Sequence, residues 1–376
     1  MEKPFVYGVA VTDYNFTGRQ EESRRLRSNF QNGLNSILIS PRRYGKTSLV
    51  DHVCRNLNDK DIITVRLDIF GCKTEYDFYN VLVAAVLKQT ASKVQLWMEE
   101  AREFLSRLTP KIAIPVDPTS EISISLGITP ETHTPEELLN LVEDIANKKK
   151  RHIVVCIDEF QEVGEFPNSK QVQGRLRGVW QHHHNTSYCL FGSKRHMMST
   201  IFMNRSMPFY QFGDLIWLDK IPTVDWTEYI ISHFEASGRH ISEETTVQIC
   251  EAVDNYPSYV QQLASNIYGR LEKGQTASAN DVALSLRDLL NANEALFMQQ
   301  IEPLTVYQMN MLRAIVSGTH SGFNERNVRA NYDFGSPSNV VRLKNALTER
   351  DLIYSERKHL YITDPVFALW FKARFV

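Results

Sequence analysis

Two segments constrain this chain more than anything else in it: SPRRYGKTSL at 40–49 and IVVCIDEF at 153–160. The first follows an apolar run from Leu34 to Ile39 and opens a helical pattern at Leu49, Val50, Val53 and Leu57. Strand, loop and helix start, in that order, are what a phosphate-binding loop requires, because the N–H groups of a helix start form an anion site. The candidate nucleotide contacts are Pro41, Arg42, Arg43, Tyr44, Gly45, Lys46, Thr47 and Ser48. Lys46 brings a point charge to the β- and γ-phosphates, and the Thr47 hydroxyl reaches toward Mg²⁺. The second segment is a buried-strand pattern ending in two carboxylates. Asp158 suits the metal shell, and Glu159 can polarise an attacking water. The metal candidates are therefore Thr47 and Asp158, and Glu159 and Lys46 are the catalytic ones.

One position departs from G-x-x-x-x-G-K-[ST]: Ser40 stands at the first glycine. Glycine is favoured there because the backbone must bend and approach the phosphates closely. The competing interpretation is a surface turn and a strand-end acidic pair with no ligand. The flanking strand and helix, and the acidic strand end far along the chain, favour the nucleotide.

The 376 residues suffice for two or three domains with separate cores. A net charge of −2 does not advertise nucleic acid, although local basic patches remain compatible with it. No apolar stretch approaches membrane-spanning length, and the first residues, MEKPFVYGVAV, lack a basic region followed by a long apolar core. The five cysteines are scattered and never spaced C-x-x-C; Cys156 and Cys189 sit in apolar strand-like runs. A reducing cytoplasm is the expected compartment. His182, His183 and His184 are consecutive and accompanied by no ligand set, so no metal site is expected at them.

Strand-like runs at 34–39, 62–69, 152–157, 188–192 and 215–218 alternate with helical patterns, which predicts an α/β layer with a mostly parallel sheet. A polar helix is expected around Glu21 to Asn29. Thr134-Pro135-Glu136-Glu137 reads as a helix start with a reciprocal cap. That helix ends in the basic run 148–151, either a solvated terminus or a nucleic-acid patch. Alternation over 112–126 predicts a β-hairpin insertion, a family elaboration or a packing surface. From Pro222 the pattern is helical. After about residue 300, helices lead to strand-like pieces at 352–356 and 360–363, as in a winged helix-turn-helix. Ser336–Pro337 is read as the start of its last helix, with Val340, Leu343 and Leu347 inward and Arg342, Lys344, Asn345 and Thr348 outward. The expected domains are 1–221, 222–298 and 299–376.

Taken in order, these pieces resemble the archaeal-type ATPase family, a branch of the signal-transduction ATPases within the AAA+ superfamily. FTGRQEE (16–22) looks like the family's F-x-G-R-x-x-E opening, which lies beside the adenine and brings in Gly18 and Arg19. SPRRYGKTSL matches PRR-x-GKTSL except at Ser40, and CIDEFQEV matches the Walker B element. CLFGS (189–193) resembles the strand that ends at the sensor-1 position, which makes Ser193 a catalytic candidate. NYPSYVQQL (255–263) is similar to the lid's G-x-P element, bringing in Pro257, with Asn255 where glycine is usual. ITDPVFALWF (362–371) resembles the D-P-x-F-x-x-W-F ending. In PFYQFGD (208–214), Gln211 and Phe212 stand where the family often has Gly-Arg, leaving that arginine's role vacant or passed to Arg195 or Arg205. The resemblance implies a P-loop NTPase with a five-stranded sheet, a helical lid and a winged helix.

Three functions follow as expectations. One is an Mg²⁺-dependent ATPase working as a nucleotide-driven switch, ATP being favoured over GTP because no N-K-x-D motif appears. Another is a DNA-binding protein that uses ATP as a structural ligand; the segment 301–376 has three more basic than acidic side chains, and winged helices serve DNA and protein partners alike. The last is a scaffold that binds ATP without turnover.

Overall fold

The computed structural model describes residues 4–11, 13–91, 128–129 and 133–376. The hairpin expected at 112–126 lies outside the described residues. The chain divides into two compact units, one comprising Gln20–Arg42 and Lys46–Leu218, the other Met1–Arg19, Arg43–Gly45 and Asp219–Val376.

The first unit is an α/β layer. Its strands are β1 (Ser36–Ile39), β2 (Ile62–Asp68), β3 (His152–Asp158), β4 (Thr186–Gly192) and β5 (Asp214–Trp217). They lie in the order β2-β3-β4-β1-β5, every pair parallel. The central strands are continuous apolar runs because there the sheet is covered on both faces; β1 and β4 are buried throughout, whereas Arg66 and Asp68 of the edge strand β2 are exposed. Helix α1 (Gln20–Gln31) precedes β1, and between the strands run α2 (Lys46–Arg55), α3 (Glu75–Thr90), α4 (Pro135–Lys149), α5 (Ser169–Trp180) and α6 (Arg195–Met203). Thr134 caps α4 as its sequence predicts, exchanging hydrogen bonds with Glu137. Parallel strands put all their C-terminal ends on one edge, the place where sheets of this kind carry their sites. Register brings three ends together: Ile39 faces Gly192 across β1–β4, and Ile157 faces Leu190 across β3–β4.

The second unit is helical: α7 (Thr223–Ala236), α8 (Glu243–Ala252), α9 (Pro257–Arg270) and α10 (Ala279–Ile301), then α11 (Val306–Val316), α12 (Arg326–Asn331) and α13 (Pro337–Glu349). An antiparallel pair, β6 (Ile353–Glu356) and β7 (His359–Ile362), forms the wing. A further helix follows, α14 (Pro365–Phe375). This corrects the expectation that the helix started by Ser336–Pro337 is the last. Asp364 starts α14 by accepting from the N–H groups of Val366 and Phe367; Val366, Phe367, Trp370 and Phe371 are buried along one face, but the apolar Leu369 and Ala373 are exposed off it and blur the stripe. On α13, Val340, Leu343 and Leu347 are buried as expected, but Lys344 is half-buried, its ammonium 4.8 Å over the Phe323 ring. One hydrophobic cluster runs from Phe5 and Trp226 through Phe297 to Trp370.

Candidate nucleotide site

The loop after β1 turns at Arg43 and Gly45, whose φ values are +61° and +85°. Ser40 is not among the left-handed residues, so the bend that glycine would supply is made further along. The buried Ser40 has another use: its Oγ and its carbonyl each take a hydrogen bond from Lys46 Nζ at 3.1 Å, and Pro41 O takes a third at 2.8 Å. Lys46, at the first position of α2, is therefore an almost buried ammonium held by oxygens of its own loop. Phosphate oxygens are the natural substitutes for such acceptors.

Next to it, Thr47 Oγ1 donates to Asp158 Oδ2 at 2.7 Å, joining the two motifs. Burial drives the Asp158 carboxyl up to about 6, against the lowering effect of bonds from Thr47 and the Glu159 N–H; Glu159 and Asp68 push it further up. A carboxylate so short of positive charge, beside a hydroxyl, suits a hard cation with oxygen ligands. Among the described residues no group of three or more His, Cys, Asp and Glu is poised to hold a metal, so Mg²⁺ here would be completed by phosphate oxygens and water.

Glu159 has a left-handed backbone, φ +54°. Its Oε2 accepts from Ser193 Oγ at 2.8 Å and from Ser193 N at 3.4 Å, and Arg42 Nε reaches Ser193 Oγ at 3.3 Å. Ser193 thus connects the acidic strand end to the loop. Ser48 is buried in the first turn of α2.

The remaining candidates lie in the helical unit. Gly18 has φ +66°, and a Cβ there would come within 2.3 Å of Ile221 Cγ2, so only glycine fits. The buried Arg19 donates to Tyr44 O at 3.1 Å and to Asp219 O at 2.7 Å. The Tyr44 ring meets Tyr256 edge-on at 5.0 Å, directly before Pro257, which starts α9. Arg43 Nη1 donates to Tyr259 OH at 3.3 Å, and Tyr259 OH donates to Asp364 Oδ2 at 2.6 Å. Burial raises the Asp364 carboxyl, opposed by Tyr259, two backbone N–H groups and Arg43. Sequence reasoning passed over Tyr259 and Asp364, although both stand inside segments quoted for the resemblance.

Two departures acquire reasons. Asn255, where glycine is usual, has φ +54°, and Gln211 also has φ +54°; asparagine tolerates that conformation better than most residues. Phe212, at the arginine position, is buried against Phe209 and Trp180, and Arg177 lies 4.8 Å over its ring. Arg195 lies over Trp217 at 5.2 Å, and Arg205 is exposed. His183 bonds Tyr188 OH and Asn140 Oδ1, and the His184 backbone N–H donates to Glu143 Oε1. A cavity of about 320 Å³ in the helical unit, lined by Tyr44, Tyr256, His320 and Tyr361 among others, contains none of Lys46, Thr47, Asp158 or Glu159. The donor chemistry, rather than cavity size, marks the candidate site.

Comparison with solved structures bears on the whole chain. It superimposes on the Walker-type ATPase paby2304 of Pyrococcus abyssi with a TM-score of 0.70 and 18% identity, over 98% of this chain and 100% of that one. The fold is that of a Walker-type ATPase. The ORC2 protein of Aeropyrum pernix, solved as ADPNP–ADP complexes, matches with a TM-score of 0.56 and 12% identity over 95% of this chain and 94% of that one. The ORC1 protein of the same organism, solved in complex with DNA, gives 0.50 and 10% over 100% and 98%. Residues 295–373 match the family model described as a probable winged helix domain. No curated protein matches the sequence. This Walker-type ATPase fold with its C-terminal winged helix agrees with the resemblance carried by the motifs. Among the described residues no helix is long and apolar enough to cross a membrane.

Proposed function

We propose that the chain binds ATP with Mg²⁺ and hydrolyses it, alternating between states as a nucleotide-driven switch. The observation that carries this reading is the 2.7 Å bond between Thr47 Oγ1 and Asp158 Oδ2 beside the buried Lys46 ammonium. A hydroxyl, a carboxylate and a cation so arranged suit the metal and phosphate ends of a nucleoside triphosphate. Lys46 exchanges its loop carbonyls for β- and γ-phosphate oxygens. Thr47 and Asp158 would hold Mg²⁺, which when bound neutralises phosphate charge. Glu159 orients a water: the water oxygen bonds the γ-phosphorus, the bond to the bridging oxygen breaks, ADP leaves, and the carboxylate takes the proton. Ser193, bonded to both Arg42 and Glu159, registers the γ-phosphate together with Arg42. Gly18 and Arg19 are assigned to the adenine side, and Pro257 to the lid's nucleotide contact, by the resemblance alone. The test is calorimetry with Mg–ATP followed by a turnover assay; absence of adenine-nucleotide heat would overturn the proposal.

A second reading has its own observation. Arg342 on α13 and Arg357 and Lys358 at the wing tip are exposed, as phosphate-contacting residues of a winged helix must be. Lys344, folded over Phe323, is a poorer candidate. A salt-dependent shift of duplex DNA that disappears in Arg342→Ala/Arg357→Ala supports DNA as a partner; no shift at low salt leaves a protein partner for this surface.

A further inference from the structure

The carboxylate assigned to the attacking water is gripped by a side chain to which the motifs assign no role. Gln161 lies in the 3₁₀ turn Phe160–Glu165 that follows β3, and it is completely buried. Its Nε2 donates to Glu159 Oε2 at 2.5 Å and to Glu162 Oε1 at 3.3 Å. An amide NH₂ carries two hydrogens, and both are committed to carboxylates. Turned over, the amide would set its oxygen against two negative charges, so its orientation is fixed. Glu162 is in turn paired with Lys194, 3.6 Å away.

The three donors to Glu159, namely Gln161 Nε2, Ser193 Oγ and Ser193 N, all fall on Oε2. Oε1 receives no hydrogen bond from the described residues. One oxygen is an anchor, and the other is available. The space for this arrangement comes from a second residue: a Cβ on Gly192, at the end of β4, would sit 1.9 Å from Gln161 Oε1. Any other residue at 192 would evict the amide.

We propose that Gln161 is a positioning residue that, together with Ser193, fixes Glu159 by one oxygen and aims the other at the attacking water. This rests on the hydrolytic reading above. A base held in one geometry avoids the loss that a displacement of about 1 Å brings, on the order of 10²-fold in rate. The alternative is that Gln161 merely fills space behind the strand ends.

The test is single-turnover cleavage of Mg–ATP by the full chain in excess over nucleotide. Gln161→Met preserves volume and removes the donor; it is expected to slow cleavage roughly 10- to 100-fold while ATP affinity and thermal midpoint stay near those of the parent. Gln161→Asn, polar but too short to reach, should do the same and covers the case in which the methionine variant fails to fold. In a Glu159→Gln background, Gln161→Met should slow the residual cleavage no further, because it acts through Glu159. Parent-like cleavage by Gln161→Met overturns the proposal, as does an equal slowing in both backgrounds, which would mark a packing role. A parent protein that binds ATP and never cleaves it overturns the hydrolytic reading, and the inference falls with it.

Discussion

The α/β unit and the helical unit each contain a chain of polar contacts involving residues of the 40–48 loop, and the two chains are built in opposite ways. In the α/β unit, Asp158, Glu159 and Ser193 stand at or just past the ends of adjacent parallel strands, and Lys46 and Thr47 open the helix that follows β1, so sheet register and one short loop assemble them. In the helical unit, Arg43, Tyr259 and Asp364 come from a loop, a helix start and a helix cap, separated by 216 and 105 positions, and packing assembles them. The first construction tolerates sequence drift around fixed strand ends. The second depends on where whole helices settle.

That comparison can be broken by substitution. The largest effect belongs to Lys46→Ala, which removes the ammonium: Mg–ATP affinity should fall by more than about 100-fold in calorimetry, consistent with the loss of a charge-assisted contact. Glu159→Gln should leave affinity nearly intact and slow turnover by roughly 10²- to 10⁴-fold, the range for a general base; an unchanged rate removes Glu159 from the mechanism. Tyr259→Phe deletes the hydroxyl shared by Arg43 and Asp364. It should cost about 1–2 kcal/mol in denaturant unfolding with little change in ATP affinity, and a tenfold loss of affinity would mean that the two chains act as one.

The smallest effect concerns acid. Asp214 loses hydration on folding, yet bonds from Arg25 and Asn29 outweigh this and hold its carboxyl below the usual range. A group with a lowered folded value stabilises above its unfolded value and loses that contribution as pH falls through the folded one. Asp214→Asn should therefore flatten the acid side of the stability curve below about pH 4, by under about 1 kcal/mol for so exposed a pair. An unaltered acid limb would assign the effect to other carboxylates.

The same contrast separates what the sequence disclosed from what it hid. The central strands were legible because buried parallel strands are nearly uninterrupted apolar runs, and the loop and the acidic strand end were legible because they follow directly on those runs. Gln161 was written beside the acidic pair and went unnoticed: a glutamine after a strand ordinarily faces water, and only the missing Cβ at Gly192 makes room for it inside. Helix α14 was hidden by its composition, since the face away from the buried Phe367, Trp370 and Phe371 carries the apolar Leu369 and Ala373 beside Lys372, which blurs the period. Tyr259 and Asp364 could not be paired from spacing, because nothing local joins them.

Helix α10 has one more consequence. Its 23 residues run unbroken through position 298, a rod about 35 Å long, and Phe297 near its end touches both Phe367 and Trp370 of α14. Severing the chain there would strip a hydrophobic ring from the wing-bearing end and leave two torn surfaces. A fragment meant to carry the wing by itself should start at Ser278, with the capping serine and the entire rod retained.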